Sequence, residues 1–106
     1  MNELIISLLT PFAPTTFQTY NGKKTTNITF FNYLENVESY ADNHETSIGY
    51  FIQVDVWSLE NLDLLAINVL KTLKEAGFMR NYVTEMYESD TKKFHKVIRV
   101  NKTIQI

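Results

Sequence analysis

The chain has no cysteine, only two prolines and only three glycines in 106 residues. Without cysteine there are no disulfides, thiolate metal sites, iron–sulfur clusters or cysteine nucleophiles. The glycines, Gly22, Gly49 and Gly77, stand too far apart to build a loop that cradles a phosphate. No apolar run approaches the roughly 18 residues that a membrane span needs. The early apolar patch Leu4–Leu9 follows Glu3 and meets Pro11, so it is expected to be a short helix, neither a signal peptide nor a span. An excess of basic residues is also missing. The net charge of −2 is too near neutral for a general nucleic-acid binder.

What is present suits one globular domain over residues 1–106, with 44% hydrophobic and 21% charged residues. The charge is unevenly placed. Residues 1–70 hold two bases against eight acids, and residues 71–106 hold eight bases against four acids. Two arrangements account for this: head-to-tail association of an acidic face with a basic one, or opposite-sign elements packed together in one monomer. The aromatics (one Trp, six Tyr, seven Phe) exceed what one small core needs.

Asn2 to Leu9 reads as a helix capped by Asn2 and ended by Thr10–Pro14, where proline lacks a backbone donor. Asn21-Gly22, between β-prone residues, marks a tight hairpin or a loop tip. Asn27–Leu34 reads as a strand, with Ile28, Phe30 and Leu34 on one face and Phe31 and Tyr33 on the other. Glu35–Thr46 is polar and reads as a loop. Ser47–Trp57 is the clearest strand: Ile48, Tyr50, Ile52, Val54 and Val56 alternate with Gly49, Phe51, Gln53, Asp55 and Trp57. Ser58 is expected to cap a long helix reaching Ala76, with Leu62, Leu65, Ala66, Val69, Leu70, Leu73 and Ala76 on one stripe. Gly77 then stands where a left-handed residue ends a helix, with Phe78 folding back on Leu73. Met79–Tyr87 and Phe94–Val100 read as strands joined across Glu88–Lys93, the second with Lys96 on its apolar face and His95 and Arg99 on the other. Lys102–Ile106 extends it or forms a tail. The expected fold is α+β: an antiparallel sheet of four to five strands packed against one long helix plus a short N-terminal helix, in two layers.

No residue pattern points to catalysis, a cofactor or a metal. Asp42, His44 and Glu45 share one polar segment, but ligand spacing for a metal is missing. His95 reads as a surface or interface histidine, since nothing in the spacing assembles it with Ser89 or Asp90 into an acid–base pair. Asp55 is the unusual carboxylate. In the middle of an apolar strand it must reach solvent, a basic partner or a subunit contact. Phe31, Tyr33, Phe51 and Trp57 fall on the strand faces opposite the helix, so a second apolar face must be covered by the N-terminal segment or by another subunit. Phe51, Asp55 and Trp57, with the basic residues Lys96 and Arg99, are the subunit-interface candidates. The basic residues interleaved with aromatics, Lys92, Lys93, Phe94, His95, Lys96 and Arg99, could lie along a nucleic-acid strand, but such a run is usually a solvated hairpin.

Five segments in order, ITFFNYLE (28–35), YAD (40–42), GYFIQVDVWS (49–58), LKEAGF (73–78) and MYESDTKKFHKVIR (86–99), resemble the tail completion or tail terminator proteins of long-tailed phages and prophages, also called tail-to-head joining proteins. The resemblance covers residues 28–101. It departs from the family pattern at Asn43, where a second acid commonly follows, and residues 1–27 lie outside it. It implies a small α+β virion protein with no catalytic residues. Such a protein caps the finished tail tube as a ring, often a hexamer, with the tube protein on one side and the head connector on the other. It is made in the bacterial cytoplasm, and the genome passes through the ring's lumen. Another neck component, such as a head completion or connector adaptor protein, is the nearest alternative, and a small DNA-binding phage protein is a more distant one.

Overall fold

The computed structural model describes residues 1–41 and 44–105, with side chains described outside 36–45. The chain order is α1 (Asn2–Leu9), β1 (Thr15–Phe17), β2 (Asn27–Ala41), β3 (His44–Ser58), α2 (Asp63–Glu75), β4 (Met79–Glu88) and β5 (Lys93–Gln105). This is an α+β fold with one five-stranded sheet in the order β1-β2-β3-β5-β4. The sheet was expected to be antiparallel throughout but is mixed: β1, joined to β2 by a long loop rather than a hairpin, runs parallel to it, and every other pairing is antiparallel.

The core lies on one side of the sheet. Ile28 and Phe30 of β2, Ile52, Val54 and Val56 of β3, and Ile98 and Val100 of β5 meet Ile5 and Leu9 of α1 and Val69 and Leu73 of α2. Both helices therefore cover the same face. Burying one large aliphatic side chain contributes about 1.5–3 kcal/mol, which is why α2 is held by its stripe rather than by its own propensity.

Several expectations need correction. Asn2 is the first residue of α1, and its side chain makes no cap bond. Asn21-Gly22 belongs to a loop that carries the chain back to a parallel strand, so no hairpin forms there. The amide of Gln18 donates to Phe30 O and that of Ile28 to Pro14 O, both at 2.8 Å. Glu35–Thr46 was expected as a loop because it is polar, yet β2 continues to Ala41 and β3 begins at His44. Backbone pairing between β2 and β3 overrides the polarity of the sequence there. Residues 42 and 43, between them, lie outside the described residues.

Helix α2 is shorter than its apolar stripe suggests. It begins at Asp63 because β3 runs on to Ser58, whose Oγ accepts the Glu60 amide at 3.1 Å instead of capping a helix. The first free amide of α2, that of Asp63, donates to Asn61 Oδ1 at 2.8 Å. Its far end agrees with expectation. Gly77 has φ of 97°, its amide donates to Lys74 O and that of Phe78 to Leu73 O, each at 3.0 Å, which is a Schellman ending. Leu65 was placed with the core but is only partly buried at its margin, whereas Val69 and Leu73 are fully enclosed. The last strand takes in Lys102–Gln105, pairing with β3 as far as Ser47.

Candidate functional site

The face of the sheet turned away from both helices is built from cross-strand rows that the register defines. Phe31, Gln53, Arg99 and Tyr82 stand side by side across β2, β3, β5 and β4, and so do Thr29, Asp55, Val97 and Thr84. A third row contains Asn27, Trp57, His95 and Met86, and a fourth contains Leu34, Phe51, Asn101 and Met79. Leu34 was expected with Ile28 and Phe30. The irregularity between Asn32 and Leu34 sets Leu34 opposite Phe51 instead, and it is 45% exposed.

Asp55 and His95 form the centre of this face and are both buried, at 6% and 8% exposure. His95 Nε2 donates to Asp55 Oδ1 at 2.8 Å, and Gln53 Nε2 donates to the same oxygen at 3.0 Å. The mid-strand carboxylate therefore has its partner inside the chain. His95 was expected at the surface or in an interface, and in the chain alone it is already buried. Its burial follows from Trp57, whose ring lies parallel to the imidazole with centroids 3.6 Å apart. Trp57 is fixed in turn, since its Nε1 donates to Thr29 Oγ1 at 3.3 Å. On the other side Arg99 Nε donates to Gln53 Oε1 at 3.0 Å, and its guanidinium lies 4.9 Å from the Tyr33 ring centre and 5.9 Å from that of Tyr82. Tyr33 meets Phe51 edge-on at 6.1 Å. A chain of polar and π contacts thus runs from Thr29 through Trp57, His95, Asp55, Gln53 and Arg99 to the tyrosines.

Chemically this network orients side chains. The second imidazole nitrogen of His95, Nδ1, is 3.9 Å from the Glu88 carboxylate, and among the described residues no hydroxyl is bonded to the ring. An imidazole between two carboxylates has no nucleophile to activate. Beside Trp57 an open cleft of about 530 Å³ is lined by Tyr20, Lys24, Asn27, Glu88 and Lys93, among others. The Tyr20 ring packs against Gly22 so closely that any side chain at Gly22 would displace it, and its hydroxyl accepts the Lys24 amide at 3.0 Å.

Of the five interface candidates, the structure brings four together. Phe51, Asp55, Trp57 and Arg99 share the uncovered face, with Asp55 buried beneath the others. Lys96 is opposite Val56 and Glu85, on the helix-covered side, at the groove between α2 and β4. The side chains of Asp42, His44 and Glu45, weighed as a cation contact, lie outside the described residues. Sequence reasoning missed Met79, Tyr82 and Met86 of β4, which add exposed apolar surface to the same face. Alternation along Met79–Glu88, anchored on Val83 as the inward residue, was the signal that could have found Tyr82 and Met86. It also missed the pairing of Asp55 with His95, although both were placed on second faces. Only the adjacency of β3 and β5 makes them neighbours.

No protein-family model matches the chain, and no curated protein matches it.

Proposed function

We propose that this protein is a structural component of a long-tailed phage or prophage that closes the tail tube as a ring and joins it to the head connector. The observation that carries the reading is the uncovered sheet face. Leu34, Met79, Tyr82 and Met86 are exposed on it around half-buried Phe31, Phe51 and Trp57, and both helices pack on the opposite side. A face that no helix covers, with apolar and aromatic side chains around a polar centre, suits a protein partner. Its aromatics and Arg99 are the residue types that anchor protein interfaces. The order of motifs over residues 28–101, which resembles the tail terminator proteins, favours further copies, the tube protein and the connector as the neighbours.

A non-enzymatic role is supported by the setting of His95, which meets carboxylates and an indole. Native mass spectrometry and sedimentation velocity of the full chain, over a range of concentration, test the reading. A closed species near six copies is the expected result. A monomer at every concentration, alone and with purified tail tubes, would overturn it. Retention on DNA that vanishes at high salt would instead favour a nucleic-acid-binding phage protein.

A further inference from the structure

A shallow groove runs along the outer side of α2 and on between α2 and β4, and its lining is both apolar and basic. Ile67, 62% exposed, and Leu70 form its apolar floor, and Lys71, Lys74, Arg80 and Lys96 surround them. Glu75 lines it and Glu85 stands opposite Lys96 on β4, yet among the described residues no carboxylate is within ion-pairing distance of any of the four cations. Four cations with no ion pair among the described residues, around an apolar floor, fit an acidic partner segment that carries apolar side chains of its own.

Such a segment of this chain, and one that projects from the body of the fold, is the distal part of the β2–β3 ribbon. Leu34, Glu35, Val37, Glu38 and Tyr40 fall on β2 and Glu45 on β3, with neither Lys nor Arg between positions 34 and 46. This ribbon is a projecting arm. Strand β4 begins at Met79, opposite Asn101, so beyond that level β3 is flanked only by β2 and by the end of β5. From Ile52, which is level with Val100 and Arg80, β3 runs on to His44, about 25 Å further at the rise of a strand. The molecule is accordingly 53 Å long and 24 × 23 Å across. The arm points along the strands, away from the groove, and cannot turn back into the groove of its own chain.

We infer that the acidic arm of one copy docks in the α2–β4 groove of the next, an arrangement that rests on the ring proposed above. Arm and groove are different patches, so the contact is head-to-tail and propagates from copy to copy until the ring closes. The acidic arm would repel a second arm, and the basic groove a second groove, which disfavours reversed pairing. The uncovered sheet face adjoins the arm and would be covered in the same step.

Two charge-reversed chains test the docking. One carries Lys71→Glu, Lys74→Glu and Arg80→Glu; the other carries Glu35→Lys, Glu38→Lys and Glu45→Lys. Glu35, Lys71, Lys74 and Arg80 are exposed, and circular dichroism and melting check that each variant folds. Each variant alone should need a roughly tenfold or greater rise in concentration to assemble, since like charges then face each other. An equimolar mixture should recover assembly, because each reversed arm matches the other variant's reversed groove, and native mass spectrometry should show equal numbers of the two chains. If wild type forms a ring and both variants do so at the same concentration, the arm–groove contact is overturned and the ring stands. If wild type and the mixture both stop at a dimer, while each variant alone does not assemble, the contact stands and the ring falls. A wild-type chain that never self-associates removes both.

Discussion

The indole of Trp57 lies on the imidazole of His95 with planes 10° apart, while the same imidazole holds the buried carboxylate of Asp55 at 2.8 Å. One histidine is thus locked by a ring on its face and an anion on its edge. The stack contributes about 0.5–1.5 kcal/mol beyond the area it buries. Because Trp57 is the sole tryptophan, its fluorescence reports on this contact alone.

Removing His95 should therefore be costly. His95→Ala leaves Asp55 buried with Gln53 as its remaining partner, and a cost of about 2–4 kcal/mol is expected in urea unfolding. The Trp57 emission maximum should also move to longer wavelength. Asp55→Asn keeps an acceptor for Nε2 and should cost less than half as much. Equal stability of wild type and His95→Ala would show that the pair contributes nothing to the fold.

Gly77 holds φ of 97°, a region that strains any β-branched residue. Gly77→Val should destabilise by more than about 1 kcal/mol and Gly77→Asn by less. The space beside Gly77 is not the obstacle, since its nearest neighbour is the flexible end of Lys102. Thermal melts of the two variants separate backbone strain from crowding, and an equal loss in both would point to crowding.

In α2, Leu73→Ala should cost about 2–5 kcal/mol, because its side chain is fully enclosed. Leu65→Ala should cost clearly less, as Leu65 sits at the margin of the core. The reverse order in chemical denaturation would mean that α2 is rotated relative to the sheet.

On the uncovered face, Arg99→Glu and Phe51→Ser should weaken self-association at least tenfold while each costs the monomer less than about 1.5 kcal/mol. Arg99 is exposed and Phe51 only half buried, so neither anchors the core. Sedimentation velocity with parallel melting curves checks this. A loss of monomer stability matching the loss of assembly would place these residues in the fold instead.

How far the residues alone led can be judged at particular elements. Both helices, the strong strand at Ser47–Trp57 and the Gly77 ending were legible, because apolar spacing and a left-handed glycine are local signals. The ribbon beyond Leu34 was not, since polar residues there pair with strands rather than with solvent. Leu34 changed face because a bulge has no signature in period-two alternation. At the candidate site, the aromatic excess and the second apolar face were visible in the alternation of Phe31, Phe51 and Trp57. The partner of Asp55 was not, because it comes from a strand distant in sequence, and only the non-sequential order β3-β5-β4 sets His95 beside it.

That strand order also bears on how the chain reaches its native state. Strands β2 and β3 pair as one antiparallel ribbon and β4 and β5 as another, each closed by a short connection. The two ribbons meet only where β3 pairs with β5, from Ser47↔Gln105 to Ser58↔Phe94, and α2 lies in the chain between them. Two hairpins of low sequence separation can form early. Joining them closes a longer loop and must wait for that entropy to be offset. Docking of the hairpins, with α2 settling across both, is then the slow step. Mutations at the β3–β5 seam, such as Val54→Ala or Ile98→Val, should slow folding, whereas changes in the distal β2–β3 ribbon should chiefly speed unfolding.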